Sequence, residues 1–301
     1  MRMPAAQSGP FGGRAWRRFR RNRAAAASAA GLTIIAAACA AGATAWRDRA
    51  ARADLSRART PPSRVDPFGT DLLGRSLAVR CVVGGAVSMG VGLSAAVFAV
   101  VLGLAWGSLA ALGGGRIDAA MMRVVDIIYG LPYLLIAILL KVGLDGLLRT
   151  QAGLSAGGSE VAVLILAIAG VSWLTMARIV RAAVLSLNAQ PFVEAARALG
   201  ASPWRVWRAH ILPNLAGPVA VYATLTVPQA MLQESFLSFL GLGIQPPLPS
   251  WGTLAAEGVA AINPVESFWW MLAFPCGLLS LTLLGLNFLG EGLRDALDPR
   301  G

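Results

Sequence analysis

Long apolar runs alternate with short polar segments along the chain. The apolar runs cover residues 24–46, 86–111, 119–142, 159–177, 218–242 and 268–290. Each run is close to the ~20 residues that an α-helix needs to cross the hydrocarbon core of a bilayer. The pattern therefore predicts an all-α polytopic membrane protein with six transmembrane helices.

The composition supports this class. Hydrophobic residues make up 56% of the chain, charged residues only 14%, and the mean hydropathy is +0.64. A soluble domain with this balance would lack the polar side chains to cover its surface. The net charge of +11 comes almost wholly from arginines in segments beside the apolar runs. These arginines indicate membrane orientation, so we expect contact with a lipid bilayer and no nucleic-acid partner.

The basic amino terminus sets the predicted orientation. Residues 1–23 hold seven arginines and no acidic residue, which favours the inner membrane face. A basic segment before an apolar run is also typical of a secretory signal, but the apolar part of a signal spans only ~7–15 residues. We therefore expect a cytoplasmic tail at 1–23, a first span at 24–46, an extracytoplasmic segment at 47–84 and one membrane domain at 85–301. Both termini are then cytoplasmic.

The segment at 47–84 does not fit a simple positive-inside rule, because it holds eight arginines against four aspartates. Within it, the stretch DPFGTDLLGRSL at 66–77 predicts a turn, a cap at Thr70 or Asp71, and a short helix. Elsewhere the pattern predicts a tight cytoplasmic turn at 113–115 and outer loops at 143–158 and 243–267. The second of these loops contains Pro246, Pro247 and Pro249, which limit regular structure.

A polar, amphipathic stretch, PFVEAARALGASPWRVWRAHILP, separates the fourth and fifth apolar runs. Pro191 suits the first position of a helix, and Gly200 suits a left-handed stop. Ser202 followed by Pro203 predicts the cap and first residue of a second short helix, which Pro213 would close. The pattern alone leaves two interpretations open: a docking element, or an ordinary interfacial loop.

The EAA triplet at 194–196, Gly200, and the Leu-Pro pair at 212–213 resemble the EAA loop of ATP-binding-cassette (ABC) importer permeases. The stretch HILPN at 210–214 is similar to the variant in the oligopeptide and dipeptide importer branch. The resemblance implies a cytoplasmic coupling loop at 188–217 that inserts into a cleft of a separate ATPase subunit. It assigns ATPase coupling to Glu194, Ala195, Ala196, Arg197, Gly200, Trp204, Trp207, His210, Leu212 and Pro213.

Three further stretches are similar to the same branch: residues 66–77, 238–252 and 287–300. The resemblance thus runs from about residue 64 to the end of the chain. It implies a type I ABC importer permease-like fold and a C-type subunit of a bacterial cytoplasmic (inner) membrane transporter. The implied partners are a second homologous permease subunit, two ATP-binding-cassette ATPase subunits and an extracytoplasmic solute-binding protein.

The residue inventory argues against an enzyme. The chain has one histidine, His210, and three dispersed cysteines, Cys39, Cys81 and Cys276, which form neither a metal motif nor a disulfide framework. It has no Walker A sequence, because the only lysine, Lys141, is not part of a Gly-Lys-Ser/Thr triplet. We therefore expect a non-catalytic subunit that binds no cofactor, with ATP and Mg²⁺ held by the partner ATPase subunits.

Two carboxylates fall inside predicted spans, at Asp126 and Glu234. Because a charge within a bilayer is costly to bury, these residues, with the neighbouring Gln233, are candidates for the transport pathway. The alternative is that each carboxylate is paired locally, and Arg123 lies at a suitable spacing from Asp126.

Several functions stay open at this point. The first is a permease subunit of a di- or oligopeptide importer. The others are a nickel or other small-solute importer of the same branch, a secondary carrier that uses Asp126 and Glu234, and a membrane scaffold without a pathway. The sequence favours the first.

Overall fold

The computed structural model describes residues 18–151, 156–263 and 266–297, and within these ranges regular structure is helical apart from one isolated β-bridge between Thr70 and Ser76. A 3₁₀ turn covers Leu55–Arg57, and a π-helical turn covers Trp207–Ile211. The helices are α1 (Arg23–Ala45), α2 (Arg47–Ala51), α3 (Leu77–Gly113), α4 (Gly115–Tyr129), α5 (Tyr133–Gln151), α6 (Ala156–Asn188), α7 (Pro191–Ala198), α8 (Pro203–Val206), α9 (Leu212–Phe239), α10 (Trp251–Ala260) and α11 (Trp270–Leu297).

Five helical segments of the described chain are long and apolar enough to cross a membrane. These are α1, α3, α6, the continuous segment Pro203–Phe239, and α11. The third predicted span, at 119–142, is not one helix, because α4 and α5 meet at an angle of 96°. Pro132 lies at this break. Proline donates no backbone N–H and disfavours helical geometry in the residue before it, so Pro132 favours a break at this position.

Helix α3 is the centre of the bundle and packs against α1, α6 and α9. With 37 residues it is ~55 Å long. It approaches α6 closely at Gly103 and Gly107, which lie one turn apart on the same face. A Cβ atom on Gly107 would lie 2.4 Å from the carbonyl oxygen of Ala177. Glycine at this position therefore permits the backbones of α3 and α6 to approach closely, as is common between helices in membranes.

The two ends of α3 are embedded in separate apolar clusters. The cluster around its first turns is formed by side chains that include Leu77, Cys81, Trp251, Trp270 and Met271. The cluster around its last turn is formed by side chains that include Ala111, Val184, Val193, Val206 and Ile211. Residues 46–76 (the strap) and α10 thus lie at one end of the bundle, and the loop at 188–217 lies at the other.

The strap ends in turns and contains no helix at 66–77, so the predicted short helix is wrong. The carboxylate of Asp71 instead accepts the backbone N–H groups of Leu73 and Arg75, each at 2.9 Å. Such side-chain hydrogen bonds compete with helical ones and favour a turn. Helix α3 then begins directly at Leu77, before the predicted domain boundary at residue 85.

The three predicted loops agree with the structure to different degrees. The tight turn at 113–115 is confirmed, with φ of +57° at Gly114 and +46° at Gly115. The predicted outer loop at 143–158 is mostly helical, since α5 and α6 extend into it, and its remaining residues 152–155 lie outside the described ranges. The predicted loop at 243–267 contains α10, which begins with a reciprocal cap between Ser250 and Thr253. This cap stabilises the first turn of α10, so a helix forms directly after the prolines.

Candidate functional site

The predicted coupling loop contains two short helices separated by Gly200, as expected from the sequence. Helix α7 begins with Pro191 at its first position. It ends in a Schellman motif, because the N–H of Ala201 donates to Ala196 O at 3.1 Å and that of Gly200 donates to Arg197 O at 2.9 Å. Gly200 has a φ of +82°, which confirms its predicted left-handed conformation. These two backbone hydrogen bonds fix the direction in which the chain leaves α7.

The second short helix begins as predicted but does not end as predicted. Ser202 caps α8 through its hydroxyl oxygen, and Pro203 occupies the first position. Pro213 does not close the segment, because the chain continues through the π-helical turn into α9. In that turn the N–H of Leu212 donates to Trp207 O, five residues back. Pro213 follows in the first turn of α9, where a backbone N–H is not needed, so proline is compatible with the continuous helix.

One face of the loop is packed against the bundle. Val193 of α7, Val206 of α8 and Ile211 of the π-helical turn are almost fully buried, and they contact Val180 and Val184 of α6. Burial of these aliphatic side chains stabilises the docked loop by ~1.5–3 kcal/mol each. The loop therefore sits on the bundle as a firmly attached element.

The opposite face of the loop is apolar and exposed. Leu199 is 89% exposed, Trp204 is 64% exposed, and Phe192 is 43% exposed. Ala195 is also exposed and lies on the same side of α7 as Phe192 and Leu199, at helical spacings of three and four residues. The sequence reasoning missed Phe192 and Leu199. The signal was present, since Phe192, Ala195 and Leu199 form one apolar stripe while Val193 and Ala196 form another.

The loop residues assigned from the sequence divide between these two faces. The half-buried ones are Ala196, Trp207, His210 and Leu212, and the exposed ones are Glu194, Ala195, Arg197, Gly200, Trp204 and Pro213. Ala196 and Trp207 pack against the buried cluster of the bundle. The indole rings of Trp204 and Trp207 stack with their centroids 4.8 Å apart, so the half-buried Trp207 packs against the exposed Trp204.

Asp126 is paired, but not with Arg123. Its carboxylate accepts a hydrogen bond from Arg178 of α6 at 2.8 Å, and the Arg178 guanidinium also lies 4.0 Å from the Tyr129 ring centroid. The predicted local pair with Arg123 is wrong, because the facing helix α6 brings a better placed cation. One further ion pair, between Asp118 and Arg181, joins the same two helices through two hydrogen bonds of 2.6 Å.

Glu234 and Gln233 bind other side chains than Asp126 does. Glu234 is fully buried, and its carboxylate accepts hydrogen bonds from Ser235 at 3.2 Å and Ser238 at 2.8 Å. Gln233 accepts a hydrogen bond from Ser172 of α6 at 3.2 Å. Both hydrogen-bond partners of Glu234 belong to α9 itself, whereas the partner of Gln233 belongs to the facing helix α6.

The sequence reasoning also missed a network of charges at the opposite end from the coupling loop. Arg80, which is buried, donates to Asp71 of the strap and to Glu257 of α10. Arg75 donates to the same Asp71 carboxylate at 2.6 Å. The only local signal was the four-residue spacing of Asp71 and Arg75, because Glu257 lies in a segment that the sequence predicts to be a loop.

Comparison with known proteins agrees with this geometry. The family model described as "binding-protein-dependent transport system inner membrane component" matches residues 99–300, and one described as "N-terminal TM domain of oligopeptide transport permease C" matches residues 10–62. The dipeptide transport system permease protein DppC of Bacillus subtilis is 41% identical over 286 residues, which cover 95% of this chain and 85% of that protein. The oligopeptide transport system permease protein OppC of Escherichia coli is 42% identical over 293 residues, covering 94% of this chain and 89% of that protein.

Solved structures with the same fold include inward-facing conformations of the MetNI methionine ABC transporter. One such chain superposes with a TM-score of 0.57 at 22% identity, and the match covers 74% of this chain and 98% of that chain. The helical bundle and its exposed loop therefore define a membrane-spanning subunit with the type I ABC importer permease fold. The chain belongs to the family of binding-protein-dependent transport system inner membrane components. This membership favours the importer hypothesis over the secondary carrier and the scaffold.

Proposed function

We propose that this chain is one of two permease subunits of an ATP-driven importer of di- or oligopeptides. Two ATPase subunits hydrolyse ATP on the cytoplasmic side, and an extracytoplasmic solute-binding protein delivers the peptide. The chain itself carries out no chemical reaction. Its part is to form half of the pathway and to change conformation when the ATPase dimer closes, because the two pore states differ in their affinity for the closed dimer.

The observation that carries this proposal is the two-faced coupling loop. One face is packed on α6 and α9 through Val193, Val206 and Ile211, and the other presents Leu199, Trp204 and Ala195 to solvent. An exposed apolar ridge on short rigid helices suits insertion into a groove of a partner, in which a small residue such as Ala195 permits close approach. We assign the ATPase contact to this exposed face, and to Ala196 the role of seating α7 on the bundle.

The proposed orientation places the loop and both termini in the cytoplasm. The strap then lies outside, because it is at the opposite end of the bundle from the loop. The arginines at positions 18, 20, 21 and 23, at the start of α1, favour this orientation, since positive charge near the first span is retained inside.

Peptides are proposed as the substrate because the relatives that match most of the chain are named as dipeptide and oligopeptide permeases. Nickel is the alternative within the same branch. The described ranges contain no group of three or more His, Cys, Asp or Glu side chains that could hold a metal ion.

Purification of the tagged chain from its native membrane tests the proposal. We expect a second permease chain and two ATPase chains to co-purify. In vesicles, ATP hydrolysis by this complex should rise when a peptide-loaded solute-binding protein is added, and labelled dipeptide should accumulate. Purification of the chain alone, or a complex that accumulates nickel and no peptide, would contradict the proposal.

A further inference from the structure

The chain that leads into α1 carries dense positive charge. Six of the ten residues at 14–23 (the arginine segment) are arginines, and no acidic residue precedes Asp48. The structure describes the arginines at positions 18, 20, 21 and 23, and all four are exposed. Within the described ranges, Arg20, Arg21 and Arg23 have no ion-pair partner. These charges are therefore open to an anionic partner from outside the subunit.

The arginine segment does not continue the axis of α1. Residues 18–21 form a helical turn, and the N–H of Asn22 donates to Phe19 O at 3.1 Å. Asn22 itself is extended, with a ψ of 100°, and its side chain caps α1 by accepting the N–H of Ala25 at 3.2 Å. Because this bend separates the basic turn from the apolar helix, the turn can follow the membrane surface while α1 enters the bilayer.

One side of the basic turn is attached to the bundle. Phe19 is half-buried between exposed arginines, and its ring lies against Gly292 of α11, where a Cβ atom on the glycine would be 3.5 Å away. Ala25, in the first turn of α1, packs on the same glycine so closely that a Cβ atom there would overlap it. The turn thus has an apolar side on α11, and its guanidinium groups point away from that contact.

Helix α1 itself is held on the bundle by few residues. In its most apolar stretch 17% of the residues are buried, compared with 50% in α6. Its cytoplasmic half is buried at Ala25 and Leu32, which face Gly292 and Gly285 of α11. So small a contact leaves this end of α1 weakly attached, and an interaction of the arginine segment outside the bundle would add to it.

The bilayer itself supplies a partner at this position. Because α1 spans the membrane, the residues directly before it lie at the level of the lipid headgroups. In the proposed orientation they meet the cytoplasmic leaflet, whose anionic lipids give its surface a negative potential. Clusters of ~4–8 basic residues beside the cytoplasmic end of a span are typical of anionic-lipid binding. The strap differs, since four aspartates lie among its arginines.

We propose that the arginine segment binds the phosphate headgroups of anionic phospholipids in the cytoplasmic leaflet and thereby holds the cytoplasmic end of α1 against α11. The proposal rests on the proposed function for its orientation, which places this segment inside. The charges involved are exposed, so salt should screen the attraction and weaken the binding. Anionic lipid is then a component that the assembled transporter needs for full stability.

The test measures lipid binding beside the arginine segment in the complete transporter. A fluorophore is attached at Ala24→Cys, an exposed position in the first turn of α1, in a background without other cysteines of this chain. The transporter is reconstituted in mixtures of phosphatidylglycerol and phosphatidylcholine, and either lipid carries a nitroxide quencher near its headgroup. The two quenching curves give the local preference for the anionic lipid. We expect the wild type to prefer phosphatidylglycerol about tenfold or more, and the preference to fall as salt is raised.

The variant Arg20→Gln, Arg21→Gln, Arg23→Gln should lose most of this preference, since each basic residue near an anionic surface contributes a factor of about five. The arginines at 14, 17 and 18 remain and keep the amino terminus inside. The thermal unfolding midpoint of the wild-type transporter should also be higher with phosphatidylglycerol than with phosphatidylcholine. In the glutamine variant the two midpoints should be equal.

Two matched variants separate local charge from other effects. Arg20→Lys, Arg21→Lys, Arg23→Lys keeps the charge and should retain the preference within about threefold.

The second control removes the same number of charges at the other end of the bundle. Arg47→Gln, Arg49→Gln, Arg52→Gln changes exposed arginines of the strap that have no ion pair in the described ranges. It should leave both the lipid preference at α1 and the lipid dependence of the midpoint as in the wild type.

Equal quenching by the two lipids in the wild type, or an undiminished preference in the glutamine variant, would overturn the inference. Loss of the preference when inorganic phosphate replaces chloride at equal ionic strength would also overturn it, because the arginines would then bind free phosphate. A glutamine variant that purifies without the ATPase would assign these arginines to a protein contact instead. Failure of the proposed function is recognised separately, as a wild-type chain that purifies without any ATPase, since the quenching measurement needs no transport.

Discussion

The guanidinium group of Arg80 donates two hydrogen bonds to the carboxylate of Glu257, which lies 177 residues further along the chain. Arg80 also donates to Asp71 at 2.7 Å, so one buried cation joins the start of α3 to both the strap and α10. Both Arg80 and Asp71 are almost completely shielded from water. This network fixes the end of the bundle that we propose to lie outside.

Removal of Glu257 should destabilise the subunit. Breaking a buried ion pair typically costs ~3–5 kcal/mol, and because the Glu257 side chain is partly exposed we expect about 1–3 kcal/mol for Glu257→Ala. The measurement is the thermal unfolding midpoint of the purified transporter in detergent. Glu291→Ala is the matched control, since Glu291 is exposed and has no ion pair in the described part of the chain. Equal midpoints for the two variants would refute a stabilising role of the network.

The contact between α3 and α6 gives a second prediction. Gly107→Ala would place a Cβ atom 2.4 Å from Ala177 O and so force the two helices apart, whereas a Cβ atom at Gly90 would meet nothing within 4 Å. We expect Gly107→Ala to lose ~1–3 kcal/mol of stability and Gly90→Ala to change it little. Unfolding midpoints of the two single variants decide this. Equal changes in the two midpoints would show that the close contact between α3 and α6 does not set the effect.

The fold could be predicted well where the signal was local, and less well where it depended on distant partners. Apolar runs predicted α1, α3, α6, α9 and α11, because each is long enough to be recognised by composition alone. The φ of Gly200 was also predictable, since a helix stop of this kind favours glycine. The partner of Asp126 could not be predicted, because Arg178 lies 52 residues away in the sequence and only the packing of α4 on α6 brings it near.

The same reasoning applies within the coupling loop. Sequence spacing identified the EAA triplet but could not tell that Ala195 faces solvent while Ala196 packs against the bundle. Nor could it show that the chain runs through a π-helical turn before Pro213, because a proline after a short helix predicts either an end or a new start. The orientation of α7 on the bundle, which decides the exposed face, is a property of tertiary packing.

Gly200 provides a third prediction, about transport rather than stability. Gly200→Val should cost ~1 kcal/mol or more of backbone strain, because a β-branched residue tolerates a positive φ poorly. We expect lower peptide uptake with normal amounts of protein in the membrane. Gly200→Asn is the control, since asparagine adopts this conformation more readily and should retain most of the uptake. Normal uptake by Gly200→Val would contradict the role of this turn in coupling.

The proposed topology can be tested with single cysteines in a background that lacks Cys39, Cys81 and Cys276. Leu199→Cys lies on the exposed face of the coupling loop, and Val65→Cys lies on the strap. A membrane-impermeant thiol reagent added to intact spheroplasts should label Val65→Cys only. Lysis should then permit labelling of Leu199→Cys. Labelling of Leu199→Cys in intact spheroplasts would show that the loop faces outward, against the proposal.

The central claim is that the exposed face of the loop binds an ATPase, and Ala195→Trp tests it most directly. Ala195 is exposed on the loop, so a larger side chain should be tolerated by the subunit itself but should overfill a close-packed groove, at a cost of ~1–3 kcal/mol. Ala53→Trp, at an exposed alanine of the strap, is the matched control for the size of the change. Asp126→Asn is the control for a carboxylate-dependent pathway.

The measurement is the amount of ATPase that co-purifies with each variant, together with peptide uptake by the same cells. We predict that Ala195→Trp loses most of the ATPase or uncouples its hydrolysis from uptake. Ala53→Trp and Asp126→Asn should retain both the ATPase and its hydrolysis. If Ala195→Trp keeps the ATPase and normal uptake while Asp126→Asn abolishes uptake, the coupling role of this loop is contradicted and a carboxylate-driven carrier is favoured.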